Sequence, residues 1–453
     1  MLEFVNSRHA PPLARLGTSC PDHFVRTRIR PLLVDWNPAD EDLARLKEKI
    51  AAGVERYRGE YVAYYRQHAR PDSPPLRDQN PSVVLVPGVG MFTFGKNKTE
   101  ARITGEFYIN AIHVMAGATA LGEGAKPPEV LPQARRPEDS KLFASFDNYV
   151  ALPLSEAFRI EYWLLEVAKL KRQPPEKEFS RKILMVVGGG SGIGREVAVR
   201  LVERGAHVMI ADKDAPAASE AAAAAARGGS PEAAACCALD LVDRASIAAA
   251  LRQTLLRFGG VDGIINTAAV FLAPDAAGHI PDEKWKLTFD INITGNYLLA
   301  DEARKILLAQ GLPAVMILTS SANAVVPKWG SEAYDVSKSA VSHLVRELAV
   351  GLAPLVRVNG IAPATVVAGS AMFPRERVIA SLTKYQVPFD AKESTEQLRA
   401  KLADYYAHRT LTKLPVTPQD CAEAIVWLAS ERAAKTTGHV IPIDGGLVEA
   451  FLR

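Results

Sequence analysis

The stretch Ile183-Leu-Met-Val-Val-Gly-Gly-Gly-Ser-Gly-Ile-Gly-Arg-Glu196 decides the fold. Its apolar opening, Ile183 to Val187, reads as a buried strand, and the residues after Gly192 read as the start of a helix. Gly188 permits a tight turn, Gly192 lets the backbone approach a pyrophosphate, and Gly194 allows the helix to pack on the strand. The helix start then presents free N–H groups and a partial positive charge to phosphates. Glycine-rich turns also serve packing alone, so the remainder of the chain has to decide.

Downstream, short β-branched runs alternate with alanine-rich helical stretches. Strands are expected at 183–187, 207–211, 235–239, 263–265, 314–318, 357–361 and 440–443. Alternating strands and helices make an α/β fold, a Rossmann-type doubly wound parallel sheet of about seven strands. The second strand ends at Asp212, eighteen residues after Gly194. A carboxylate there can accept both ribose hydroxyls of an adenosine and repels a 2′-phosphate. Lys213 softens that repulsion, and the balance favours NAD over NADP. The alternative reading of Asp212 is a strand-end turn residue.

A second constellation lies nearer the C-terminus. Tyr334 and Lys338 are four residues apart, one helical turn on the same face, and Ser321 precedes the tyrosine by thirteen. A free tyrosine has a pKa of about 10, and a nearby ammonium favours its phenolate. Tyr334 can then serve as general acid for reduction or base for oxidation, with Ser321 holding the substrate oxygen. A lone Tyr-x3-Lys pair is common on surfaces; with the serine and the glycine turn it points to an oxidoreductase of a carbonyl or alcohol.

Together these residues resemble a short-chain dehydrogenase/reductase over 181–453. The likeness includes Asp240, Asn266, Asn292, Asn359-Gly-Ile-Ala-Pro363 and Asp444-Gly-Gly446. It implies that Asn292, Ser321, Tyr334 and Lys338 are catalytic, with Asn292 carrying a proton relay through water. The cofactor contacts it implies begin with Gly188, Ser191, Gly192, Ile193 and Gly194. They continue through Asp212, Asp240 at the adenine, Leu241, Asn266 and Pro363, with Tyr334 and Lys338 completing them at the nicotinamide end. It also implies a homo-oligomer, dimer or tetramer. Three departures from the family pattern stand out: Val187 in place of threonine, Thr267-Ala-Ala269 in place of Asn-Ala-Gly, and Ala364 in place of glycine. The stretch 363–409 is longer than the usual substrate loop; its Phe373, Tyr385, Phe389 and Tyr405 line a pocket or pack a helical lid.

Residues 1–180 differ in character, being rich in proline and charge and ending in the linker-like Gln173-Pro-Pro-Glu-Lys-Glu-Phe-Ser180. Asn37-Pro38 signals a helix start, and Leu43, Leu46, Ile50, Val54, Tyr57 and Tyr61 recur at helical spacing. Strands are expected at 82–86 and 91–94, helices at 99–115 and 156–171, and an irregular connection at 123–150. The run Asn80 to Lys96 resembles the closing part of a class II aldolase domain, yet Pro87-Gly-Val-Gly90 lacks that family's zinc-binding histidine. Cys20 and His23 are too isolated for a metal site, which needs at least three ligands, so none is expected. The whole layout resembles the C-terminal portion of bifunctional rhamnulose-1-phosphate aldolase/alcohol dehydrogenases. That likeness implies lactaldehyde or a related small hydroxy-carbonyl as substrate, association with an aldolase, and a chain that is a shortened form or a separate dehydrogenase. Aldolase activity, or dinucleotide binding without turnover, are the competing readings.

Composition bounds the rest. A net charge of +3 over 453 residues excludes a charge-driven nucleic-acid partner. No apolar run approaches the ~18 residues that span a bilayer. Four cysteines without zinc or disulfide spacing fit a reducing compartment, so a cytoplasmic location is expected.

Overall fold

The structure, a computed structural model, describes residues 1–122, 149–165, 174–275 and 277–451. They fall into two compact units, Met1–Pro175 and Glu176–Arg453. The tail of the expected linker belongs to the second unit. Phe179 is buried against Leu184 and Val202, and Ser180 Oγ accepts the Lys177 N–H, so an apolar anchor shortens the connection.

In the first unit, β1 (Leu32–Leu33) pairs in parallel with β2 (Val83–Val86), which pairs antiparallel with β3 (Gly90–Thr93). Gly88 and Gly90 take positive φ of 74° and 129° in the β2–β3 turn, as their lack of Cβ allows. The long helix runs Leu43–His68 and not from Pro38. Asn37 spends its side chain on the N–H of Ala39 in a local turn, whereas Asp42 caps the helix by accepting from Arg45 N–H at 2.8 Å. Leu43 is therefore outside the apolar stripe and exposed, while Tyr57, Tyr61 and Tyr64 are buried. The next helix, Lys98–Gly122, exceeds the expected 99–115. Leu154–Glu161 forms a helix that Tyr162 and Trp163 interrupt; residues 166–171 of the expected 156–171 helix and nearly all of the 123–150 connection lie outside the described residues.

A buried ionic network ties this unit together. Glu161 has no exposed side-chain surface, and its Oε1 accepts from Arg28 at 3.2 Å and from the Tyr61 hydroxyl at 2.6 Å. Burial raises the Glu161 carboxyl, against the pull of Arg28.

The second unit is a seven-stranded parallel sheet in the order β10-β9-β8-β7-β4-β5-β6. Its strands are β4 (Ile183–Val187), β5 (His207–Asp212), β6 (Ala234–Ala238), β7 (Gly263–Asn266), β8 (Ala314–Thr319), β9 (Val356–Pro363) and β10 (Val440–Ile443). Each begins within a residue or two of its expected position. Continuous apolar runs make this legible, because both sheet faces are covered. Met185, Met209, Ile264 and Met316 meet helices Arg244–Phe258, Gly295–Gln310 and Glu332–Leu352 on one face. Leu184, Val186, Ile210 and Ile265 meet Gly192–Glu203, Ala215–Ala226 and Pro418–Ala429 on the other. The alanine-rich stretch is a plain packing helix, with Ala218, Ala221 and Ala225 fully buried.

The strand order reverses between β4 and β7, leaving a crevice above the carboxyl ends of those strands. Residues 364–413 cover part of it with helices Arg375–Lys384 and Thr395–Ala407, which share a small core of Val367, Phe373, Val378, Leu382, Leu398 and Leu402. Among the described residues no helix is long and apolar enough to cross a membrane.

Glu161→Ala leaves the Arg28 guanidinium buried without its carboxylate. It should destabilise the first unit by about 3–5 kcal/mol, read by chemical denaturation, with the transition of the second unit unchanged.

Candidate active site

One cleft of about 400 Å³ holds both halves of the expected chemistry. Its walls include Gly188, Ser191, Gly192, Ile193, Gly194, Asp212, Asp240 and Leu241 at one end. Ser321, Tyr334, Lys338 and Pro363 stand at the other. The glycines are there for space. A Cβ on Gly188 would stand 2.6 Å from Ala268 N, one on Gly190 2.9 Å from Asp212 Oδ2, and one on Gly194 2.3 Å from Gly188 O.

Two of the departures from the family pattern offset one another. Val187 brings no hydroxyl to the turn, but Thr267 on the adjacent strand end donates to the carbonyls of Val187 at 3.0 Å and Gly188 at 3.1 Å. The turn is tied down from across the sheet. Ala364 makes an ordinary strand-end bond to the carbonyl of Ile443.

At the adenosine end, Asp212 accepts from Gly190 N–H at 2.8 Å and Asp214 N–H at 3.0 Å, so its carboxylate is fixed at the mouth of the turn. Lys213 does not lie against Asp212. Its Nζ pairs with Asp240 at 2.9 Å, which holds the Asp240 carboxyl below its usual range. Asn266 is buried beneath the cleft, giving its amide to Asn296 and taking the Ala268 N–H. It orders the strand end from below and is not among the lining residues.

At the other end, Tyr334 and Lys338 project from Glu332–Leu352, with Lys338 Nζ 5.5 Å from the Tyr334 ring centre. That ammonium donates to the Thr319 carbonyl at 2.7 Å. Ser321 follows β8, accepts the Asn323 N–H at 3.2 Å, and is buried. Asn292 lies on a widened helical turn, Asp290–Thr294. Its side chain is fully engaged, with both polar groups of Val270 and with Ser337 Oγ, which in turn donates to the Tyr334 carbonyl. Asn292 thus braces the tyrosine helix against the segment that follows β7.

The phenol is not acidified in this state. Burial pushes the Tyr334 hydroxyl up to about 12, against the downward pull of the Ser321 hydroxyl and the Arg377 charge. Burial also brings the Lys338 ammonium down to about 7. Lys338 is buried, whereas Tyr334 is half-buried in the cleft wall.

Residues the motifs did not single out complete the cleft. Phe271 packs edge-on to Tyr334, with ring centres 5.6 Å apart. Arg377 and Tyr406 enter from the two covering helices, and Phe373 lines the cleft while belonging to the core of those helices. Tyr385 and Tyr405 stack on each other at 4.5 Å, as lid packing. The signal for Arg377 was a cation amid the aromatics of the over-long loop. Among the described residues no three His, Cys, Asp or Glu side chains gather into a metal site, and His23 packs edge-on to Phe107.

Residues 188–448 match the family model described as enoyl-(acyl carrier protein) reductase. A solved Brucella melitensis structure, a short-chain dehydrogenase/reductase titled glucose/ribitol dehydrogenase, is 25% identical. It covers 62% of this chain and all of that one, with a TM-score of 0.51. The chain belongs to the short-chain dehydrogenase/reductase family. Residues 1–170 match the model described as aldolase class II, second domain. The uncharacterized oxidoreductase YuxG of Bacillus subtilis is 33% identical over the whole of this chain, which spans 60% of that relative's length. The 2,5-dichloro-2,5-cyclohexadiene-1,4-diol dehydrogenase of Sphingobium indicum is 30% identical, covering 59% of this chain and 98% of its own. By its family the chain is an oxidoreductase acting on hydroxyl substrates, and the family's cofactor is a nicotinamide dinucleotide. The glycine cradle and the Asp212 carboxylate fit that group.

Gly194→Ala should abolish dinucleotide binding, since its Cβ would meet the Gly188 carbonyl; calorimetric titration with NAD reads this. A lysine brought to about 7 when folded carries fewer protons than its unfolded form between pH 7 and about 10.5. Stability without dinucleotide therefore gains a contribution that rises with pH across that window, by up to about 1.4 kcal/mol per pH unit. Lys338→Met should remove that slope in urea unfolding series.

Proposed function

We propose that the second unit transfers hydride reversibly between NAD and a small hydroxylated aldehyde or ketone, with Tyr334 as its general acid and base. Lactaldehyde, or a related carbonyl of deoxy-sugar (rhamnose) breakdown, is the substrate this reading favours. The observation that carries it is the single cleft with the glycine turn at one end and Ser321, Tyr334 and Lys338 at the other.

The bound dinucleotide supplies the hydride acceptor or donor. Gly188, Ser191, Gly192, Ile193 and Gly194 hold its phosphates, while Asp212 takes the adenosine ribose and Asp240 and Leu241 border the adenine. With Lys213 held by Asp240, that lysine does not offset the Asp212 carboxylate, which supports NAD over NADP. Pro363 closes the nicotinamide side. Ser321 donates to the substrate oxygen and fixes it within reach of Tyr334. In reduction, Tyr334 gives its proton to that oxygen; in oxidation, it takes the proton back. Lys338, anchored on the Thr319 carbonyl, favours the phenolate when charged. Asn292 acts through Ser337 by holding the tyrosine helix in place, a positioning residue in this reading.

The match of residues 1–170 to an aldolase second domain supports a companion role for the first unit, association with an aldolase whose carbonyl product the dehydrogenase consumes. Assembly as a homo-oligomer belongs to the same reading.

Tyr334→Phe should lower kcat by about 10²–10⁴ while NAD still binds, followed by reduced-nicotinamide absorbance with lactaldehyde, sugars and polyols. Full turnover by this variant removes the acid/base assignment. Tight NAD binding without turnover of any carbonyl or alcohol by the wild type would favour a scaffold, and retro-aldol cleavage with stoichiometric zinc an aldolase.

A further inference from the structure

Arg377 is a strong donor in the cleft that the reaction above leaves unused. It rises from Arg375–Lys384 into the substrate end, with its guanidinium carbon 4.2 Å from the Phe271 ring centre and 4.6 Å from that of Phe373. Phe271 in turn packs on Tyr334, so one aromatic ring separates the guanidinium from the phenol. Two rings flank the cation and displace water from around it. Nη1 donates to the Met372 carbonyl at 2.6 Å. Among the described residues Nε and Nη2 have no protein acceptor, and no carboxylate lies within ion-pair distance.

Charge in the cleft is segregated. Its lining carboxylates are Asp212 and Asp240, both at the adenosine end. The substrate end carries Lys328, Lys338 and Arg377. The Asp335 carboxylate, on the tyrosine helix, is taken by Asn323 Nδ2 at 2.7 Å and Lys328 N–H at 2.9 Å. Lys328 Nζ is itself directed to the Tyr385 hydroxyl at 3.2 Å. A half-buried guanidinium without a counterion is costly unless a ligand supplies one. The Nε/Nη2 edge is the fork that matches two oxygens of a carboxylate or phosphate.

We infer that Arg377 binds an oxyanion on the substrate, so that the preferred substrate is a small carbonyl compound carrying a carboxylate or a phosphate close to the reacting carbon. This rests on the dehydrogenase reading of the same cleft and narrows it, ranking a charged carbonyl above lactaldehyde. Stacking of Arg377 as lid packing alone is the competing account.

Three ketones of equal carbon count separate these accounts: dihydroxyacetone (neutral), hydroxypyruvate (carboxylate) and dihydroxyacetone phosphate. Each is reduced by NADH with uptake of one proton, in wild type, Arg377→Gln and Arg377→Lys. The inference expects one of the two anionic ketones to exceed dihydroxyacetone in kcat/KM. It expects Arg377→Gln to cut that ratio by about 10- to 100-fold, mainly through KM, and Arg377→Lys to restore part of it. The winning arm tells carboxylate from phosphate. Equal loss on all three ketones, preference for the neutral ketone, or a loss confined to the KM of NADH would overturn it. Should the wild type reduce none of them, turnover of the wider carbonyl and alcohol panel still decides the dehydrogenase reading. Calorimetric binding of hydroxypyruvate and dihydroxyacetone phosphate to the NAD-bound protein then decides the anion site alone. Tightening that Arg377→Gln abolishes upholds it, and equal binding by both proteins ends it.

Discussion

The reversal of strand order between β4 and β7 is the constraint on which the site depends. Helices leaving neighbouring parallel strands on the same face close the space above them. Where the order turns, the helix after β4 and the helices on the far side of β7 diverge and leave a crevice. The glycine turn stands on one lip, because β4 ends there. Ser321 stands on the other, because β8 does. Thr267, just past the end of β7 between them, holds the Val187 and Gly188 carbonyls and ties the glycine turn to β7.

Desolvation sets the chemistry inside. Burial raises the Tyr334 hydroxyl and lowers the Lys338 ammonium. A bound positive ring above the phenol would favour the phenolate by direct attraction.

Much of this was legible in the sequence, for identifiable reasons. Strands covered on both faces leave unbroken apolar runs such as Ile183–Val187, and these need no partner to be recognised. The motif residues of the cleft fall together because each sits at the end of such a strand or one turn into the next helix. What escaped was long-range. Val187 read alone lacks a hydroxyl, and only the β4–β7 pairing shows Thr267 supplying it. The bracing of Val270 and Ser337 by the Asn292 amide is likewise a long-range contact that the sequence does not display. Arg377 is one cation among many in a charged loop until Phe271, some hundred residues earlier, is seen against it. In the first unit, Asn37-Pro38 carried a valid helix-start signal that its own local turn pre-empted, leaving the cap to Asp42.

In the proposed dehydrogenase, Tyr334 becomes an acid and base at neutral pH when a dinucleotide enters its cleft. Ultraviolet difference titration of the tyrosinate band, wild type against Tyr334→Phe, with and without saturating NAD, tests it most directly. The Tyr334 step should stand near 12 in the free protein and fall by about two pH units with NAD bound. A step that stays in place when NAD binds would contradict the account.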